Sequence, residues 1–203
     1  MDNQQLWGHC KMSQRLWLIV EDDNDGNVIK HLLVKKGINV FVEIRNTTGG
    51  SGGISRLATQ LTLLIDTIRK DKKFDPHGDC IAVLHDHDEQ TQQQNRTHYT
   101  TIKQVCATKG VKEVTAIDEL EAWMLADSGL CTWLAITPKN WDSAQKPSDS
   151  LRSYLTKKNL KYQGKTRTDV VAKLAGDGDR HSPSMREALD LFTNAPCLKS
   201  ETK

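Results

Sequence analysis

The sequence predicts an α/β fold, a parallel sheet flanked by helices with a C-terminal helical extension, and three observations carry that prediction. Short apolar runs alternate with amphipathic helical stretches up to about residue 128, a β-α-β-α-β-α-β rhythm whose helices serve as crossovers between parallel strands. The run at 80–85 is apolar on both faces, as a central parallel strand must be. Acidic clusters directly follow three of the strand-like runs, where open α/β sheets place their ligands.

Each element has its own warrant. Residues 1–14 are polar around an isolated Trp7 and read as a lead-in. Residues 16–20 (LWLIV) form a buried strand. The stretch 27–36 places Val28, Ile29, Leu32 and Leu33 on one helical face and stops at Gly37. Residues 38–44 (INVFVEI) are rich in β-formers. The glycine-rich segment 47–53 is a loop. It precedes a long amphipathic helix, 54–70, carrying Leu57, Leu61, Leu64, Ile65 and Ile68. A polar loop at 71–79 leads to the strand at 80–85. A helix over 91–108 turns Ile102, Val105 and Cys106 inward, a fourth strand spans 111–117, and 119–127 (ELEAWMLAD) is a short helix. Beyond 128, short helices are expected at 128–135, 149–159, 168–175 and 184–193, between loops marked by Pro138, Pro147, Gly164 and Gly176. The organisation is a lead-in (1–14), an α/β domain (15–130) and a helical extension packed on it (131–203). Right-handed crossovers bring the acidic strand ends to one edge.

Composition narrows the function. With 28 basic and 26 acidic residues the net charge is +2, so there is no overall electrostatic case for nucleic acid, although a local basic face is compatible with carboxylates concentrated in few places. The basic residues gather in the last third, with Lys157, Lys158, Lys161, Lys165, Arg167 and Lys173. The cysteines are scattered, odd in number and form no CxxC pair, which argues against a zinc finger or disulfide framework and for a reducing cytoplasm. No signal peptide is recognisable, and no stretch approaches the roughly 20 apolar residues of a membrane span.

The chemistry sits in the acidic clusters. Glu21-Asp22-Asp23-Asn24-Asp25 follows the first strand, with Glu21 and Asp25 one helical turn apart. Asp86 and Asp88 alternate in His85-Asp86-His87-Asp88 and point to one side of an extended segment. Asp118, Glu119 and Glu121 follow the fourth strand, and Asp177-Gly178-Asp179 is a more distant group. A single such cluster reads equally well as helix capping. Several at successive strand ends repel one another unless a cation neutralises them, and hard, oxygen-preferring Mg²⁺ or Mn²⁺ is the natural partner. By the same alternation His85 and His87 point away from the aspartates. Trp123, among apolar neighbours on a helix, reads as core rather than a base-stacking platform. The 49–53 loop lacks the Gly-Lys-Ser/Thr ending of a P-loop. Lys157, Lys158 and Lys161 form either a phosphate-tracking patch or a solvated helix face.

Val20-Glu21-Asp22-Asp23-Asn24-Asp25, with Asp86-His87-Asp88, resembles the Toprim domain shared by topoisomerases, primases and overcoming-lysogenization-defect nucleases. That pattern has a Glu after the first strand, an acidic residue four positions on and an Asp-x-Asp after the third. Asp22 stands where glycine is usual. Glu119 to Asp127 looks like the ELEAWLLAD signature of a small bacterial Toprim-like family, often encoded beside an ATPase in phage-defence loci. The resemblance covers roughly residues 16–130. It implies a Mg²⁺- or Mn²⁺-dependent nuclease acting on DNA or RNA, as an antiphage effector controlled by an ATPase partner. By the same resemblance, Glu21 is the general acid/base or a metal ligand, Asp86 and Asp88 are metal ligands, Asp25 supports a second ion and Glu121 is a further ligand. Lys165 or Arg167 is then the cation that stabilises charge on the scissile phosphate.

Two other readings compete. LIVEDD at the first strand end also resembles a response-regulator receiver, with Asp86 as phospho-acceptor. That reading needs a hydroxyl after the fourth strand, where Asp118 and Glu119 stand, and a Lys after a fifth strand that the sequence does not show. A Toprim-like module that binds nucleic acid or a partner without cutting would also keep these carboxylates.

Overall fold

In the computed structural model the described residues are 14–47, 53–88, 91–142, 144 and 146–194. The lead-in at 1–14 and the glycine loop at 49–53 fall, all but Gln14 and Gly53, outside them. Strands β1 (Arg15–Val20), β2 (Phe41–Asn46), β3 (Cys80–His87) and β4 (Lys112–Ile117) form one sheet in the order β2-β1-β3-β4. All neighbouring pairs are parallel, with Arg15 opposite Phe41, Leu16 opposite Cys80 and Ala82 opposite Lys112. The crossover helices are α1 (Asp23–Lys35), α2 (Gly53–Lys70) and α3 (Gln92–Lys109). The fold is therefore the parallel α/β, Rossmann-like architecture that the β-α rhythm predicts.

Two apolar cores follow from the alternation of β1. Trp17 and Ile19 meet Leu57, Leu61, Ile65, Ile68 and Ile102 under α2 and α3. Leu16, Leu18 and Val20 meet Val28, Ile29, Leu32 and Leu33 of α1. Each fully buried side chain of this size contributes about 1.5–3 kcal/mol relative to exposure, which makes the central strands the rigid base of the site above them.

Some element boundaries differ from expectation. Helix α1 starts at Asp23 rather than Asn27, because Asp22 is extended and its carboxylate accepts the Asn24 N–H at 2.8 Å. The second strand pairs from Phe41 rather than from residue 38. The α1 exit through left-handed Gly37 leads Ile38 and Val40 onto the core before they reach the sheet. Strand β3 runs two residues past the expected end, so Asp86 pairs opposite Ala116 within the sheet rather than on a loop.

The chain then turns at Asp118, which is left-handed at φ 61° while its N–H still donates to the His87 carbonyl. Helices α4 (Leu120–Ala126), α5 (Ser128–Leu134), α6 (Pro147–Lys157), α7 (Lys165–Val171) and α8 (Pro183–Asn194) follow, with a 3-10 turn at Gly178–Arg180. They share the α1-side core through Leu130, Leu151, Leu155, Val170, Met185 and Phe192.

Polar anchors fix these helices in place. Buried Asp127 caps α5 and accepts the N–H groups of Gly129 and Leu130, and also those of Ala175, Gly176 and Asp177 across the chain. A Cβ on Gly129 would meet the Lys173 carbonyl and the Ala175 nitrogen, so the close approach admits no side chain there. Trp123 is buried and its indole N–H donates to Ser184 at 2.7 Å, a core position. Among the described residues, no helix is long and apolar enough to cross a membrane.

Candidate metal centre

Four half-buried carboxylates lie toward the carboxyl ends of β1 and β3. Glu21 follows β1, Asp25 lies in the first turn of α1, Asp86 is near the end of β3 and Glu121 lies in the first turn of α4. Burial pushes the Asp25 carboxyl well above its ordinary range, and the charges of Glu121, Asp22 and Glu21 push it further. Burial acts first at Asp86 too, followed by Asp25, Glu121 and Glu21. Burial likewise raises Glu121 and Glu21; Glu119 adds to the rise at Glu121, while His85 opposes that at Glu21. Four acids from four chain segments therefore share one electrostatic pocket, and each is more costly to ionise than it would be in water.

The surrounding backbone positions them. The Asp86 carboxylate accepts the Leu120 N–H at 3.0 Å, tying the end of β3 to the start of α4. The Asp86 N–H favours the ionised form of Glu21. Glu119 points elsewhere: it accepts from the Ser148 N–H at 2.6 Å and the Ser148 hydroxyl at 3.0 Å, pinning α6 against the turn. Of the two glutamates of this segment, Glu121 is the one whose charge acts on Asp25 and Asp86.

The remaining candidates are dispersed. The Asp88 carboxylate accepts the Thr91 N–H at 3.3 Å at the head of α3, and its charge bears on Tyr99. Lys165 is exposed at the first position of α7. Arg152 also acts on Glu121, but Arg167, two residues on from Lys165, is the cation whose charge reaches both Asp25 and Glu121. Its guanidinium lies 3.2 Å from the Asp22 carboxylate and 5.3 Å from the centre of the Tyr162 ring, while its buried Nε has no hydrogen-bond partner. Asp177 holds Ser128, and Asp179 pairs with Lys36 at 2.6 Å, so that acidic pair is an anchor of the extension. His85 lies on the α3 side, with Nε2 3.1 Å from the Glu113 carboxylate. His87 packs on Tyr99 with ring centres 4.4 Å apart.

Sequence patterns missed Asp127, although an Asp before Ser-Gly at a helix start is a recognisable cap signal. They left Arg167 level with Lys165, because the register of α7 against the cluster is a tertiary property.

In donor chemistry the cluster fits a divalent cation. It offers carboxylate oxygens, half-buried and mutually repelling, with the guanidinium groups of Arg152 and Arg167 in partial compensation, the setting preferred by hard Mg²⁺ or Mn²⁺. Among the described residues, no three acidic, histidine or cysteine side chains converge on one point at coordination distance. The fit rests on donor type, burial and shared repulsion. Comparisons with protein families, with curated proteins and with solved structures found no match to this chain.

Proposed function

We propose that this protein is a metal-dependent nuclease of the Toprim type, cleaving phosphodiester bonds in DNA or RNA. The observation that carries the reading is that the half-buried carboxylates of Glu21, Asp25, Asp86 and Glu121, from four separate segments, lie near enough for the charges of the others to oppose ionisation of Asp25 and Asp86. Purely structural carboxylates are usually paired or hydrogen-bonded into comfort; a cluster held against its own repulsion is more typical of a functional site. Asp25, Asp86 and Glu121 would hold Mg²⁺ or Mn²⁺, with Glu21 as a further ligand and Asp88 flanking. When bound, the ion supplies charge neutralisation and Lewis acidity toward a phosphodiester.

The chain's own groups account for the rest. The Glu21 carboxyl, raised by burial, is suited to carrying a proton between attacking and leaving oxygens. Arg167 offers a fixed positive charge toward the scissile phosphate, and Tyr162 beneath it keeps it over the cluster. A role as an antiphage effector under an ATPase partner extends the family resemblance and belongs to the same proposal. The receiver reading is less well supported: among the described residues the sheet has no fifth strand to bring a lysine to Asp86.

Plasmid, single-stranded DNA and total tRNA incubated with Mg²⁺, Mn²⁺ or EDTA test the proposal. Metal-dependent cutting is expected, with loss of activity in Glu21→Ala and in the Asp86→Ala/Asp88→Ala double variant. Arg167→Gln is expected to lower kcat about 100-fold, as loss of one transition-state donor does, and Lys165→Gln to change it less than threefold, about 0.6 kcal/mol. Cutting that survives both carboxylate variants would refute the assignment.

A further inference from the structure

A second polar feature adjoins the cluster. A groove of about 400 Å³ runs between α3 and the edge strand β4, lined by His87, Gln92, Arg96, Tyr99 and Lys103, with Glu113, held 3.1 Å from His85, as its one carboxylate. Helix α3 is unusual for an exposed helix of this chain: it carries no acidic residue over its 18 positions, although the protein has 26 acids in 203 residues. Its groove side presents Gln92, Arg96, Tyr99 and Lys103 at helical spacing, so amide, guanidinium, ring and ammonium follow one another along one face. Arg96 and Lys103 are exposed and form no ion pair among the described residues. Between them, Tyr99 and His87 present a pair of packed rings, with His85 5.7 Å from Tyr99 beneath.

Along β3 the groove-lining His85 and His87 flank Asp86, whose side chain lies on the other face of the strand. Tyr99 hydrogen-bonds the Asp88 backbone and lies within reach of the Glu21 charge. His85, in the groove floor, is the group whose charge offsets the rise at Glu21.

We propose that this groove holds a single strand of nucleic acid next to the carboxylate cluster, with Arg96 and Lys103 on successive phosphates and Tyr99 with His87 as a base-stacking platform. Alternating cations and rings in a narrow track match a flexible strand with exposed base faces. A duplex keeps its base faces stacked inside and would leave the rings unused. The inference rests on the nuclease reading for its orientation, but binding can be measured without cleavage.

The test is fluorescence anisotropy of a labelled 12-nucleotide dT strand and a labelled 12-nucleotide rU strand in EDTA. Wild type is compared with Arg96→Gln/Lys103→Gln, Tyr99→Leu, and Lys157→Gln/Lys158→Gln as a control on the extension. The Arg96/Lys103 double variant is expected to weaken binding about 10-fold and to flatten the plot of log Kd against log salt by about 1.4, since each phosphate contact on a single strand contributes about 0.7. Tyr99→Leu is expected to weaken binding about 10-fold with the salt slope unchanged, and the extension control to stay within twofold. Absence of strand binding by wild type, unchanged binding by the double variant, loss confined to the extension control, or equal competition by an unlabelled duplex would each overturn the inference. The two readings separate cleanly. A protein that binds strands through the groove yet cuts nothing with metal sinks the nuclease alone. One that cuts equally well without Arg96 and Lys103, and binds as before, sinks the groove alone.

Discussion

Replacing Asp127 by alanine is expected to cost about 3–5 kcal/mol of stability, the upper range for a single substitution. Its carboxylate accepts five backbone N–H groups, two from the head of α5 and three from residues 175–177. It is fully buried, so water has no easy route to the donors left behind. Asp127→Asn should not rescue the loss, because the amide turns one acceptor oxygen into a donor that faces other donors. Urea unfolding measures the effect as a fall in midpoint with little change in slope. A loss below about 1 kcal/mol would show that the Asp127 anchor is not what holds the extension.

A gain in stability is expected from Asp25→Asn, in the same variant that loses metal-dependent activity. Removing one charge relieves repulsion shared with Glu121, Asp22 and Glu21, and relief of strain at a functional site commonly stabilises by about 0.5–2 kcal/mol. The sign with pH follows from the direction of the shifts. Glu21, Asp25, Asp86 and Glu121 are all raised in the folded protein, so the folded state binds protons more tightly than the unfolded chain does. Their contribution is fully favourable below the ordinary carboxylate pKa of about 4 and is lost as pH rises through the raised values. In EDTA the advantage of Asp25→Asn over wild type should therefore be largest near pH 8 and shrink toward pH 5. Thermal melts of both proteins across that range check it, and an advantage that grows on acidification would contradict the account.

The sheet was legible in the sequence because parallel strands buried on both faces read as unbroken apolar runs, and Leu16 to Val20 and Ile81 to Leu84 are such runs. The candidate carboxylates were legible for the same reason: Glu21 directly follows the first run and Asp86 lies two residues past the second. Asp88 was grouped with Asp86 by alternation alone, but β3 ends at His87, and beyond a strand end alternation no longer dictates direction. There the Thr91 N–H recruits the Asp88 carboxylate. Arg167 and Asp127 act across 145 and about 50 positions of sequence, on Asp22 and on residues 175–177, and no local pattern encodes contacts of that range. The α3 groove escaped notice because its residues carry no motif; the absence of acids along α3 gains meaning only once β4 is seen beside it.

Isothermal titration with Mn²⁺, and separately Mg²⁺, of wild type and of the Asp86→Asn/Glu121→Gln double variant tests the central claim most directly, since it needs neither substrate nor partner. A saturable binding heat in wild type that disappears in the double variant, with the variant at least as stable as wild type in EDTA, is the predicted result. Wild type that takes up neither ion, or a double variant that binds as wild type does, would contradict the assignment of these carboxylates as a metal centre.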